Sequence, residues 1–174
     1  MKKVSAMSRK SMFGKSLTVS LLIIGCLSFN SVLAQDIYLV RHFEKGKEGR
    51  DPHLTDTGSK RAAELAKVLA EANIEVLYST QYQRTIETAQ PFAAESGLSI
   101  VYYDPSALAA FANTLLASKQ NSLVVGHSNT TPELIGLLGG KATAMQESDY
   151  GELFKLTIEN DKVMTSSTMV SIQK

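Results

Sequence analysis

Four side chains in this sequence have types and positions that suit chemistry on an anion. Arg41 and His42 sit in Leu39-Val40-Arg41-His42-Phe43-Glu44, Arg84 in Ser79-Thr80-Gln81-Tyr82-Gln83-Arg84-Thr85, and His127 ends Val124-Val125-Gly126-His127. A neutral imidazole can act as nucleophile or carry a proton near neutral pH. A guanidinium is a permanent cation whose planar fork matches the oxygens of a phosphate. Two imidazoles beside two fixed cations therefore suit phosphoryl transfer, with His42 as the nucleophile. The arrangement works only if the three segments meet, and each begins where an apolar, strand-forming run stops. If those runs are parallel neighbours, their carboxyl ends open onto one crevice.

The elements that must do the positioning can be read in order. The runs 37–40, 74–78, 98–103 and 122–125 are short and apolar, as buried strands are. Between them lie helical patterns. Ala62, Leu65, Ala66, Leu69 and Ala72 recur at spacings of three and four within residues 59–72, with Thr55 as a cap or turn residue before them. A helix through Arg84 and Ala89 is expected to kink or restart at Pro91. Further helices are expected over residues 106–117 and from Thr130 or Thr131 to Leu138, before Gly139-Gly140. Two strands, 153–158 and 163–170, flank a short turn at Asn160-Asp161. The pattern predicts an α/β fold, a three-layer sandwich whose mainly parallel central sheet is flanked by helices, with a C-terminal β-hairpin at the sheet edge.

Other chemistries fit less well. The chain has three histidines, spaced by 11 and 74 residues, which match no compact metal-ligand motif. Two arginines at the same point would also repel a cation. His53 lies in the charged loop 45–53 and reads as a solvated residue or a rim of the pocket. Gly126-His127-Ser128 lacks the Gly-x-Ser-x-Gly elbow of a serine hydrolase.

The 174-residue chain suits one folded domain behind a leader. Residues 1–34 hold Lys2, Lys3, Arg9, Lys10 and Lys15, no acidic residue, and an apolar stretch over 17–29. That composition predicts a signal peptide over 1–34, cleaved after Val32-Leu33-Ala34, and a domain over 35–174 that is periplasmic or secreted. The competing reading is a lipid anchor at Cys26, in Ile23-Ile24-Gly25-Cys26. The apolar stretch is short for a membrane span, which takes about 20 residues. Without the five leader cations, 13 basic residues face 17 acidic ones, a net charge of −4. This is not the electrostatic footprint of a nucleic-acid binder. The sole cysteine lies in the leader, so the domain carries no disulfide. A monomer is expected.

On these motifs the chain resembles the histidine phosphatase superfamily, the phosphoglycerate-mutase-like group. Arg41-His42 followed by Glu44 is similar to the family's Arg-His-Gly-Glu, with Phe43 in place of the small residue. Leu54-Thr55-x-x-Gly58 is similar to its second landmark, the segment with Arg84, Thr85, Thr88 and Ala89 to its third, and Gly126-His127 to its last. The resemblance spans residues 37–138. It implies that His42 becomes phosphorylated while Arg41, Arg84 and His127 hold the phosphate, with no metal or other cofactor and a small phosphorylated compound as substrate. Long-chain members carry an acidic residue for the leaving group in an insertion that this chain lacks. Asp104, at the end of the third strand, is the candidate acid here, against the alternative that it caps the Asp104-Pro105 turn. His127 is followed by Ser128-Asn129, not by the aspartate found in secreted histidine acid phosphatases and phytases. The expectation is thus a metal-independent phosphatase for a phosphate monoester. A protein phosphohistidine phosphatase and a non-catalytic phosphate-binding module of the envelope are the alternatives.

Overall fold

A computed structural model of the protein describes residues 34–173. Apart from Ala34, the expected signal peptide, with the Cys26 alternative, falls outside these residues. Six strands form one sheet in the order β3-β2-β4-β1-β5-β6. The first four, β1 (Gln35–Arg41), β2 (Val76–Ser79), β3 (Ile100–Tyr102) and β4 (Ser122–Gly126), run parallel. The last two, β5 (Glu152–Glu159) and β6 (Lys162–Met169), form an antiparallel hairpin, and β5 pairs antiparallel with β1. The hairpin turns through Asn160 and Asp161 with φ of 48° and 61°. Positive φ at both central residues matches the right-handed twist of the strands.

Four helices alternate with the parallel strands: α1 (Asp56–Val68), α2 (Gln83–Ser96), α3 (Leu108–Ser118) and α4 (Thr130–Leu137). The strands divide their side chains between two faces, as a period of two requires. Ile37, Leu39, Tyr78 and Val124 pack with Phe111, Leu115, Leu134 and Ile135 of α3 and α4. Val40, Leu77, Leu123 and Val125 pack with Leu65, Ala66, Ala89 and Phe92 of α1 and α2. The described residues are therefore three layers deep, with an apolar core on each side of the sheet. α2 runs unbroken through Pro91, where a kink or restart was expected. Pro91 gives up one helical hydrogen bond, that to the Glu87 carbonyl, and Ala89 and Phe92 on either side of it are buried against the sheet.

The loop after β1 is clamped to the start of α1. Thr55 N and Oγ1 both donate to the Glu44 carbonyl oxygen, at 2.8 and 3.2 Å. Thr55 Oγ1 in turn caps α1 by accepting from Gly58 N at 3.2 Å. A side chain at Gly58 would press into the backbone of Glu44. Glu44 itself is held by Arg61, whose Nε reaches both carboxylate oxygens at 3.1 Å and whose Nη1 donates to Val170 O at 2.6 Å. Burial alone would raise the Glu44 pKa, but these hydrogen bonds and the Arg61 charge outweigh it and hold the carboxyl below its usual range. Leu54-Thr55-x-x-Gly58 is thus a brace for the residues that follow β1.

Candidate active site

The site forms at the carboxyl ends of β1, β4 and β2, which lie side by side in the sheet. Arg41 pairs with Gly126 as the last ladder position of β1 and β4, and His42 N donates to Gly126 O at 2.9 Å. His42 and His127 are therefore the next residues of two adjacent strands. Their ring centroids are 5.6 Å apart, nearly edge to face. A methyl at Gly126 would lie 3.0 Å from the hydroxyl oxygens of Thr130, Thr131 and Tyr103. The bare backbone at that position lets the start of α4 come up against the strand end.

The tautomer of His42 follows from its partner. Nδ1 lies 2.9 Å from the Phe43 carbonyl oxygen. A carbonyl only accepts, so Nδ1 carries the proton and Nε2 keeps its lone pair. Burial is the largest influence on His42 and outweighs that hydrogen bond. With Arg41, His127 and Arg84 adding repulsion, it brings the pKa down to about 3. The imidazole is thus neutral and nucleophilic at any physiological pH.

His127 is fixed in the same way. Nδ1 accepts from Arg84 Nη2 at 3.4 Å, and Nε2 lies 2.9 Å from Thr80 Oγ1. Because the arginine can only donate, Nε2 bears the proton and Thr80 accepts it. Thr80 Oγ1 then donates to Thr85 Oγ1 at 2.9 Å, and Thr85 Oγ1 donates to Tyr82 O at 2.8 Å. Burial first, then Arg84 and Arg41, lower the His127 pKa to about 4.

The cations are set differently. Arg84 lies on the first turn of α2, over the Tyr82 ring at 4.5 Å, and its Nη1 pairs with Asp51 at 3.2 Å. Asp51 also accepts from Gln83 N, at 3.0 Å, and so caps α2. Arg41 is 2% exposed. Its Nη1 donates to the carbonyl oxygens of Gln146 and Asp149 at 2.7 and 3.1 Å, and its Nη2 to Glu147 Oε2 at 3.1 Å. Its guanidinium stacks 4.3 Å from the Tyr150 ring. Nε of Arg41 and Nε of Arg84 are both buried with no acceptor among the described residues.

These groups surround a pocket of about 450 Å³. His42, His127, Arg84, Lys45 and Glu147 line it, together with Ser128, Asn129 and Thr130 at the start of α4. Arg41 lies behind Glu147 and is not itself part of the wall. A helix N-terminus favours an anion, so α4 adds to the cationic side of the pocket. Among the described residues, no group of three or more His, Cys, Asp or Glu is placed to hold a metal ion.

The remaining candidates lie elsewhere. His53 is exposed and pairs with Glu87. Asp104 is fully exposed, and its Oδ1 accepts from Ser106 N and Oγ at 2.8 and 2.7 Å. Those hydrogen bonds lower its pKa, so the carboxyl expected as a proton donor stays ionised. It lines a neighbouring cleft rather than the pocket. It is a turn cap, the alternative reading of its sequence context. Sequence reasoning missed Thr80, Asp51, Tyr82, Glu147 and Tyr150. Thr80, at the end of β2, is the one among them with a positional signal.

Residues 37–105 match the histidine phosphatase superfamily (branch 1). Several solved structures share the fold. The protein histidine phosphatase SixA complexed with tungstate is 15% identical and superposes with a TM-score of 0.65, covering 78% of this chain and 97% of its own. SixA from Agrobacterium tumefaciens is 21% identical with a TM-score of 0.58, covering 77% and 97%. The phosphoserine phosphatase of Entamoeba histolytica, in complex with 3-phosphoglyceric acid, is 16% identical with a TM-score of 0.58, covering 80% and 98%. Among curated proteins, none matches.

Proposed function

We propose that the chain, whose residues 37–105 match the histidine phosphatase superfamily (branch 1), is a metal-independent phosphatase that hydrolyses a phosphate monoester through a phosphohistidine on His42. The observation that carries this reading is the hydrogen bond from His42 Nδ1 to the Phe43 carbonyl, 2.9 Å long, which leaves Nε2 unprotonated beside the pocket. The lone pair of Nε2 attacks phosphorus, the bond to the leaving oxygen breaks, and that oxygen takes a proton from solvent water. Water then attacks phosphorus, the N–P bond breaks, and the electron pair returns to Nε2 as inorganic phosphate leaves. Arg84, Lys45 and the start of α4 neutralise the transferring group, whose charge spreads over its equatorial oxygens. Arg41 joins them once its carboxylate partner gives way to phosphate.

The test is turnover of p-nitrophenyl phosphate by the domain over 35–174. Activity that survives a chelator and disappears in His42→Ala supports the reading. No turnover between pH 5 and 8, or activity retained in His42→Ala, refutes it.

Protein phosphohistidine phosphatase activity is a second reading, favoured by one feature of the pocket. Its one lining carboxylate, Glu147, is tied to Arg41, so a leaving group that departs without acid help would suit the site. Export through a leader over 1–34 is part of the proposal, and fractionation of cells expressing the full chain would test it.

A further inference from the structure

The pocket continues into a second cleft. Tyr82, Pro105 and Ser106 line both, and the second, of about 740 Å³, extends past them to Tyr102 and Asp104. Two aromatic rings face solvent there: Tyr82 is 39% exposed and Tyr102 48% exposed. Tyr82 is held in place, because its ring meets the His127 ring at 90° with centroids 5.1 Å apart and lies under the Arg84 guanidinium. Tyr102 is the last residue of the edge strand β3 and pairs with Ser79, the residue before Thr80. It therefore stands at the same carboxyl-end edge of the sheet as the histidines, two strands beyond β4. Asp104 is the ionised group of this cleft, with Oδ1 engaged by Ser106 and Oδ2 unpartnered among the described residues.

We propose that this cleft is the leaving-group subsite, and that it takes a neutral ring bearing hydroxyl groups, of the sugar-phosphate or hydroxyaryl-phosphate class. The assignment rests on the phosphatase reading above and specifies what the phosphate is attached to. Exposed tyrosines offer flat apolar faces with a polar tip, which suit a ring. A free carboxylate oxygen accepts from hydroxyl groups and repels a second anion. A leaving group such as glycerate, which carries a carboxylate, would meet Asp104 unfavourably here. Lys45, which lines the first pocket, is the cation such a group would use instead.

The experiment compares kcat/KM for glucose 6-phosphate, p-nitrophenyl phosphate and 3-phosphoglycerate in the wild-type domain and in Tyr102→Ala, Asp104→Lys and Lys45→Ala. Glucose 6-phosphate, with its hydroxyl-bearing ring, is expected to lead 3-phosphoglycerate by about tenfold, as a single well-placed charge or stack allows, while p-nitrophenyl phosphate reports the chemistry itself. Tyr102→Ala lowers that ratio about two- to tenfold through KM, and Asp104→Lys shifts it toward 3-phosphoglycerate. Preference for 3-phosphoglycerate that Lys45→Ala removes overturns the assignment, as does a Tyr102→Ala effect equal across substrates. If no substrate turns over, the phosphatase reading fails on its own, and calorimetric binding of glucose 6-phosphate against inorganic phosphate still reads the cleft. Equal affinity of the two ligands, or affinity unaffected by Tyr102→Ala, then refutes the subsite.

Discussion

Glu147 Oε2 lies 3.1 Å from Arg41 Nη2, yet the Glu147 side chain is 78% exposed while Arg41 is 2% exposed. A buried cation is thus met by a carboxylate that reaches in from solvent and also lines the pocket. Solvent screens such a half-exposed pair, so it holds only weakly. A phosphate dianion entering the pocket competes for the same guanidinium.

It follows that Glu147→Gln lowers KM for a phosphate monoester, and Ki for inorganic phosphate, by about two- to fivefold, the size of effect expected of an exposed ion pair. The gain is larger at low salt than at high salt. Steady-state kinetics at two ionic strengths would show it. A KM that rises in Glu147→Gln would mean that the carboxylate assists binding or proton transfer instead.

Thr80→Val removes the acceptor for His127 Nε2–H while keeping the side-chain volume. A buried donor left without a partner costs about 1–3 kcal/mol, and the variant should lose stability in that range in urea. The ring is also freed to change tautomer, so kcat should fall by about tenfold or more, the scale of misplaced general catalysis. His42→Ala, in contrast, should lose at least about 10⁴-fold in kcat, as removal of a nucleophile does. Equal activity of Thr80→Val and wild type would show that the Thr80 hydrogen bond does not position His127.

Both histidines have pKa values depressed by folding, to about 3 and about 4. Unfolded, they titrate near 6.5. Between those limits the unfolded chain binds more protons, so stability rises with pH through this window and falls on acidification from about 6.5 downwards. The double variant His42→Asn, His127→Asn should show a flatter dependence of stability between pH 6.5 and 4 than wild type. The acid limb of kcat/KM should likewise lie well below 6.5. An acid limb centred near 6.5 in the free enzyme would contradict a neutral, buried His42.

Gly58→Ala tests the brace behind His42. The added methyl would collide with the Glu44 backbone, whose carbonyl is tied to Thr55 and whose carboxylate is tied to Arg61. Overpacking of this kind typically costs about 1–3 kcal/mol. Thermal unfolding should report that loss, and activity should fall with it because Glu44 is two residues from His42. A wild-type melting temperature would show that the loop after β1 is not constrained by α1.

Much of this architecture was legible because its signals are local. The apolar faces of α1 and the strands recur at fixed periods, and Thr55 announces a helix start within four residues of Gly58. The hairpin turn at Asn160-Asp161 is encoded by two residues that tolerate positive φ. Pro91 misled because a local rule, that proline interrupts a helix, was overridden by the burial of Ala89 and Phe92 against the sheet.

The sequence alone determined where the apolar strand runs stop, and hence that His42 and His127 follow β1 and β4. Hydrophobic runs and their stops are written along the chain, so no folding information beyond them was needed. Tertiary structure decided that β4 inserts between β1 and β2, which makes His42 and His127 lateral neighbours. It also decided that Arg41 is engaged by Gln146, Glu147 and Asp149, more than a hundred residues away. Loop residues at that distance carry no periodicity, and only the sheet order and the path of the chain after α4 bring them to the guanidinium.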